Sequence, residues 1–250
     1  MKQFFGTSQR GNLDEALQGL HHPQFIMLLS NDRQFDDHVK ALEQRFPGVP
    51  SIGCIGMCYQ IGVTENGVGV IAFSDGVSAA ANVLEQVSVM PVKYIQRLER
   101  DVQTVGGSGL DTVCIDFCSG NDACVLTTIN TVLHGRNIGL VGGTGDQGRV
   151  SANGRVCRDA VAYALVRNQN GRVKTYKENI YHQLGSYRFV ASDTDRANYI
   201  LGSLNGKPAK QVYKSILHVT DEESLTRPFQ NPLGKVNGDD TCIISIKEVN

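Results

Sequence analysis

A chain of 250 residues, 41% of them hydrophobic, is long and apolar enough to bury a full core, which excludes a disordered segment or a disulfide-stapled miniprotein. Its 24 basic and 25 acidic side chains nearly cancel, so no global field is present to hold nucleic acid or an anionic membrane. The halves differ mildly: residues 1–125 carry 8 basic and 14 acidic groups (net −6) and residues 126–250 carry 16 and 11 (net +5), a pattern of internal complementarity.

No apolar run reaches the ~18 residues of a membrane span, and Met1–Arg10 lacks the apolar stretch of a secretory signal. Seven cysteines, an odd number, point to free thiols in a reducing cytoplasm. Neither Cys54-x3-Cys58 nor Cys114-x3-Cys118-x5-Cys124 has zinc spacing.

Asn12-Leu-Asp-Glu15 has the form of a capping box, and Leu13, Ala16, Leu17 and Leu20 continue it as a helical stripe. Gln24–Leu29 reads as a buried strand. Phe35, Val39, Leu42 and Phe46 share one face of a second helix that Pro47-Gly48 stops, and Val49–Cys54 is a strand again. This opening is βαβ-like.

Asn-Gly occurs five times, at 66–67, 153–154, 170–171, 205–206 and 237–238, and both residues tolerate the positive φ of a tight hairpin turn. The pattern predicts hairpins joining Ile61–Thr64 to Val68–Phe73 and Asp159–Arg167 to Arg172–Lys177. Ala160–Val166, apolar on both faces, is expected to lie centrally in a covered sheet. Between these, Pro91 opens a helix carrying Val92, Ile95, Leu98, Val102 and Val105, closed by Gly106-Gly107. After the strand Thr112–Phe117, Asn121 is expected to cap a helix burying Val125, Ile129, Val132 and Leu133, with Gly135 as its stop. A last helix carries Ala209, Val212, Tyr213, Ile216 and Leu217. The fold class is α/β with mixed α+β character: mixed parallel and antiparallel sheets covered by helices, with several Asn-Gly hairpins. The polar run 192–198 marks a division into a larger domain, 1–195, and a smaller one, 196–250.

Gly143-Thr-Gly-Asp-Gln-Gly148 matches the dinucleotide fingerprint, which works only if a helix N-terminus follows it. Arg149–Val156 instead has a hairpin pattern, so a glycine loop around a small ligand, or a tight strand exit, is the better reading. Cys54, after a strand, is a candidate nucleophile if a base lies near it. Strand-end carboxylates carry more chemistry. Asp75 follows Val70–Ser74, Asp116 sits near the end of its strand before Asn121, and ligands in open α/β sheets settle at such ends. The candidate ligand-binding set is Cys54, Asp75, Asp116, Asn121, Gly142, Gly143, Thr144 and Asp146; as isolated residues these are equally ordinary caps and turn formers. The basic run Arg149, Arg155, Arg158, Arg167, Arg172, Lys174 and Lys177 reads as a solvated sheet face, from which one arginine remains available for a ligand carboxylate. No cofactor and no metal are expected.

Several of these segments together resemble the FIST family (F-box and intracellular signal transduction). Pro47–Cys54, Val70–Phe73, Ile138–Gly143 and Asn153–Val161 resemble its N-terminal domain. Leu204–Ala209, Val212-Tyr213 and Asn231–Gly234 resemble the opening of its C-terminal domain, so that the likeness spans residues 24–246 in order. The resemblance implies a cytoplasmic sensory module that binds small ligands, amino acids among them. It also implies coupling to an output domain or partner, such as a chemoreceptor, a kinase or a cyclic-dinucleotide enzyme, and no catalytic residues. This chain departs from the family pattern at Ile55-Gly-Met-Cys58, and its C-terminal domain is expected to be incomplete. The expected function is therefore a ligand-binding sensory domain. A cysteine-dependent hydrolase or transferase using Cys54, or a protein-interaction module, stands as the alternative.

Overall fold

Apolar positions alternate between a period of 2 and a period of 3.6 along the chain, and in the computed structural model that alternation becomes sheets backed by helices. It describes residues 1–56, 58–59, 63–64, 66–89, 91–120, 122–176, 180–195, 200–228, 230–238, 240–244 and 246. The chain forms two units, Met1–Tyr176 and Lys177–Asn250.

The first unit is built from two modules of the same topology. One consists of β1 (Lys2–Ser8), α1 (Leu13–Ala16), β2 (Phe25–Ser30), α2 (Phe35–Arg45), β3 (Ser51–Ile55) and β6 (Val68–Ser74), with the small hairpin β4 (Cys58–Tyr59) and β5 (Val63–Thr64) inserted before β6. The other consists of β7 (Val77–Glu85), α3 (Ile95–Val105), β8 (Thr112–Cys118), α4 (Asp122–His134), β9 (Gly139–Thr144) and β12 (Ala160–Asn168), with the hairpin β10 (Val150–Ala152) and β11 (Arg155–Cys157) inserted before β12. In both, the strands stand in the order first, fourth, second, third: β1-β6-β2-β3 and β7-β12-β8-β9. In both, only the second and third strands are parallel. β10 adds antiparallel to β3, which extends the first sheet to six strands.

Strand alternation sorts the side chains into three apolar layers. Ile26 and Leu28 pack under α1 and α2 with Phe35, Val39 and Leu42. Cys114, Cys118, Tyr163 and Leu165 pack under α3 and α4 with Leu98, Val102, Ile129 and Leu133. Between the sheets, Phe25, Ile52 and Cys54 meet Ala81, Ala160, Ala162 and Ala164, and these small side chains let the sheets approach closely. β12 is central and buried along Ala160–Val166, as its two-faced apolarity predicts.

Local signals hold where their partners lie a few residues away. Asn12 caps α1 by accepting from the Glu15 N–H (3.1 Å). The reciprocal half of the box differs: the Glu15 carboxylate accepts from Ser8 Oγ (2.6 Å), and Ser8 Oγ takes the Asn12 N–H (3.1 Å). Asn153-Gly154 turns β10 into β11 at φ 48° and 75°, and Asn205-Gly206 does the same at φ 50° and 75°. Two predicted hairpins are corrected. β6 pairs with β1 and β2, and β5 with β4. β12 pairs with β7 and β8, while residues 172–176 form no strand and Lys177 lies outside the described residues. Both edges of β6 and of β12 are already occupied, and neither Asn66-Gly67 nor Asn170-Gly171 takes up the positive φ that a tight hairpin needs.

In the second unit, β13 (Ala191–Asp195), β14 (Ile200–Leu204) and β15 (Lys207–Pro208) form one sheet, and β16 (Leu233–Asn237) and β17 (Asp240–Ile244) form another. β13 and β14 pair antiparallel, Ala191 opposite Leu204 and Asp195 opposite Ile200. The helices are α5 (Ala209–Leu217) and α6 (Asp221–Thr226), the latter started by a complete Thr220/Glu223 capping box. Among the described residues no helix is long and apolar enough to cross a membrane.

One ion pair ties the start of β8 to the end of β12. Partial burial pushes the Asp111 carboxyl upward, but the Ser108 N–H (2.9 Å), the hydroxyls of Thr112 (2.9 Å) and Ser108 (3.0 Å), and Arg167 Nε (2.7 Å) hold it down to about 2. Its folded pKa lies below that of the unfolded chain, so its stabilisation is complete above about pH 4 and is lost as pH falls toward 2. Denaturant titrations of wild type and Asp111→Asn should therefore differ by about 2 kcal/mol at neutral pH and converge near pH 2. A gap independent of pH would refute this assignment.

Candidate functional site

The C-terminal ends of the parallel strands meet at one rim of the first unit. Alternation along β8 puts Cys114, Asp116 and Cys118 on the helix side and Val113, Ile115 and Phe117 between the sheets. Asp116 is only 3% exposed. Its Oδ2 accepts from Cys118 Sγ at 3.2 Å. Its charge, after burial itself, helps push the Cys114 thiol far up.

Directly beside it in the ladder stands Gly142, with Gly143 beside Phe117 and Thr144 beside Cys118. A methyl group on Gly142 would lie 2.0 Å from the Asp116 carbonyl oxygen and 2.2 Å from Oδ1, so only glycine leaves this carboxylate its place. A methyl on Gly143 would meet nothing within 4 Å. Gly142, Gly143 and Thr144 are exposed, which sets an open glycine strand end against a buried charge.

From there Gly145 donates its N–H to the Cys118 carbonyl (2.8 Å) and packs so tightly that an added Cβ would be 2.8 Å from Cys54 Cβ. Asp146, exposed, opens a short 3-10 turn through Gly148 in which Gln147 sits at φ 53°. β10 follows rather than a helix, as the hairpin pattern indicated, and the phosphate-binding arrangement of a dinucleotide fold is not formed.

The rim thus brings together Asp116, Gly142, Gly143, Thr144 and Asp146, with Cys54 beneath. Cys54 is 5% exposed in the apolar layer between the sheets. The buried His38 packs on the opposite face of the first sheet, where its ring binds Ser30 Oγ (2.7 Å) and the Gly11 carbonyl (3.0 Å). Asp75 does not join the group. It follows β6, which runs antiparallel to β2, and so lies at the opposite edge, in a left-handed turn (φ 60°) and paired with Lys2 at 2.7 Å. That hydrogen bond and the Lys2 charge lower its pKa. Asn121 lies outside the described residues.

Sequence reasoning missed Arg149. Within the basic run Arg155, Arg158, Arg172 and Lys174 are exposed, as a solvated face requires, while Arg155 pairs with Glu85 at the surface, Arg167 pairs with Asp111, and Arg149 pairs with two aspartates. Arg149 follows the glycine loop and is only 14% exposed. It donates to the Asp32 carbonyl (2.7 Å) and carboxylate (2.5 Å) and to Asp36 Oδ1 (3.0 Å), and it stacks on Phe35 at 5.7 Å. The loop after β9 is thereby clamped to the first turn of α2. The available signal was Ser30-Asn31-Asp32 at a strand end, which needs a cation that only the fold can bring.

Two open clefts lie elsewhere. One, about 530 Å³, is bounded by the 10–15 turn and by Gln34, His38 and Ala41; the other, about 500 Å³, lies between residues 20–23 and Arg45–Val49. No candidate residue lines either. Among the described residues no group of His, Cys, Asp and Glu could hold a metal ion.

The family model for the FIST N domain matches residues 24–207. No curated protein matches the chain. Among solved structures, a cyanuric acid hydrolase from A. caulinodans shares 11% identity over 67% of this chain and 72% of its own, with a TM-score of 0.33, a likeness too slight to bear on activity.

Proposed function

Because the chain belongs to the FIST N domain family, whose members are sensory domains of signal transduction, we propose that it senses a small polar ligand at the Asp116 rim. The observation that carries this reading is a difference between the twin modules. Leu28 and Asp116 hold the same place, second strand and helix side, each beside a glycine of the third strand, Gly53 and Gly142. Burying a carboxylate costs several kcal/mol unless it is compensated, and the first module shows that leucine suits the position. A buried carboxyl kept beside exposed backbone, where the twin module has leucine, supports a binding role.

The chemistry suits an amino acid. In this reading Asp116 would accept from an ammonium group, and the strand end 142–144 would supply donors to a carboxylate. Asp75 belongs to a separate surface in this reading. Signal would pass along the 145–148 loop to Arg149 and its clamp on α2, because a ligand that prefers one loop conformation shifts the population toward it. The receiver would be an output domain or partner protein in the cytoplasm, and the segment resembling a C-terminal FIST domain would begin near residue 196. No observation favours the cysteine-hydrolase reading: Cys54 lies in the apolar layer between the sheets, and the buried His38 packs on the opposite face of the first sheet with Ser30 and Gly11.

A thermal-shift panel of the twenty amino acids tests the proposal. A true ligand at 100 times its Kd should add about 2.7 kcal/mol, a rise of roughly 5–10 °C at this size. Asp116→Asn should remove that rise without lowering the unliganded Tm by more than a few degrees. If no amino acid shifts the wild type, or if Asp116→Asn keeps the full shift, the Asp116 site is wrong.

A further inference from the structure

Asparagine followed by glycine carries a chemistry of its own, apart from turn formation. The glycine nitrogen can attack the side-chain amide carbon, because no Cβ crowds its approach. How fast it does so depends on how freely the two groups meet. The five Asn-Gly pairs of this chain are held in different ways.

Asn153 is fixed at both ends of its amide: Oδ1 accepts from the Ser51 N–H (3.1 Å) and Nδ2 donates to the Ala81 carbonyl (2.9 Å). At Asn205, Oδ1 accepts from the Val190 N–H (2.7 Å). There the attacking group is tied as well, since Gly206 donates its N–H to Ser192 Oγ (2.8 Å). Asn31 Nδ2 holds the carbonyls of Asn66 (3.1 Å) and of the buried Gly67 (3.3 Å). Asn237-Gly238 closes the β16–β17 hairpin, with Gly238 at φ 60°. Asn170-Gly171 differs from all of these. The chain is pinned on either side of it, by the Gln169 N–H on the Gly76 carbonyl (2.8 Å) and the Val173 N–H on the Leu110 carbonyl (2.9 Å). Between those pins both residues are exposed. Among the described residues neither the Asn170 side chain nor the Gly171 N–H has a hydrogen-bond partner. A Cβ on Gly76 would fall 2.2 Å from Asn170 Nδ2, so glycine there leaves the amide its room.

We propose that Asn170 is a self-modification site, deamidating in the folded protein to a mixture of aspartate and isoaspartate. The Gly171 nitrogen gives up its proton to solvent and bonds to Asn170 Cγ, while the Cγ–Nδ2 bond breaks and ammonia leaves. Water then opens the cyclic imide. Cleaving the new Cγ–N bond gives aspartate. Cleaving the original peptide bond gives isoaspartate, with the main chain rerouted through Cγ. Water is the sole co-reactant, and nothing is oxidised or reduced. Each event adds one negative charge and about 1 Da. The charge falls beside the turn that carries Asp75 and its partner Lys2, where β6 passes into β7. The modification therefore alters a surface apart from the Asp116 rim and stands independently of the ligand site.

Incubation of the full chain at mildly alkaline pH, followed by peptide mapping with mass spectrometry, tests it. Trypsin releases Asn170 within the peptide Asn168–Arg172, where Asn168, followed by Gln169, serves as an internal reference. Asn170 should convert about tenfold faster than Asn153 and Asn205, because those two react only after their hydrogen bonds open. Fragmentation should find both aspartate and isoaspartate at position 170. In urea, where no fold protects any site, the Asn-Gly pairs should react at similar rates. Ser192→Ala, which frees the Gly206 N–H, should speed Asn205 severalfold and leave Asn170 unchanged. A folded chain in which Asn170 reacts no faster than Asn153 and Asn205 overturns the proposal. So does a lead for Asn170 that persists undiminished in urea, which would trace it to sequence rather than to the fold.

Discussion

Asp116→Leu is expected to raise stability by about 1–2 kcal/mol while abolishing any ligand response. The substitution rewrites the second module in the pattern of the first, where Leu28 fills the equivalent place under the helices. Leucine fits in outline, because Gly142 leaves the space beside the carboxylate clear. The gain is the desolvation penalty of a buried carboxylate, set against the loss of its acceptor for Cys118 Sγ and of its other interactions. The same change should remove the Asp116 contribution that raises the Cys114 thiol. Urea titration reads the stability, and the amino-acid panel reads the function. A variant markedly less stable than wild type would mean that Asp116 belongs to a satisfied structural network and is no binding group.

Gly142→Ala is expected to cost about 2–4 kcal/mol, the range for forced backbone displacement in a packed site. The added methyl cannot be relieved by rotating a side chain, since its nearest neighbour, at 2.0 Å, is the Asp116 carbonyl oxygen in the adjacent strand. β9 would have to move from β8, disturbing Gly143, Thr144 and the Gly145 hydrogen bond to Cys118. Gly143→Ala provides the control. It sits one residue on, in the same exposed strand end, with open space where its Cβ would go, and should change stability by no more than about 0.5 kcal/mol. Equal losses at the two positions would show that general strand flexibility, not the approach to Asp116, explains Gly142. A double variant Asp116→Leu with Gly142→Ala should fare worse than either alone, because both enlarge side chains into one space.

What was legible was whatever neighbouring residues settle among themselves. The Asn12 cap, the Phe35–Leu42 stripe, the βαβ opening and the Asn153-Gly154 turn depend on spacings of a few residues, and each appears where the sequence placed it. The ordered segments resembling FIST led to the family whose domain matches residues 24–207. Of the candidate site, the strand-end carboxylate and the glycine loop were drawn from separate stretches, and the parallel pairing of β8 with β9 brings them together. Asp75 was selected by the same rule, a carboxylate at a strand end, but the rule does not say which end of the sheet that is. Strand direction relative to β2 decides it.

The sequence by itself determined where helices and strands begin, which faces are apolar, and that a glycine-rich turn leads into a hairpin in place of a phosphate-binding helix. Those are contests among near neighbours, decided by backbone geometry and by burial of a periodic face. Only the tertiary structure decided that β6 and β12 insert between earlier strands, that two modules of unlike sequence share one topology, and that Arg149 crosses to Asp32 and Asp36. Each of those outcomes turns on which distant backbone edge or charge is still unsatisfied once the rest of the chain has packed, and no local pattern records that.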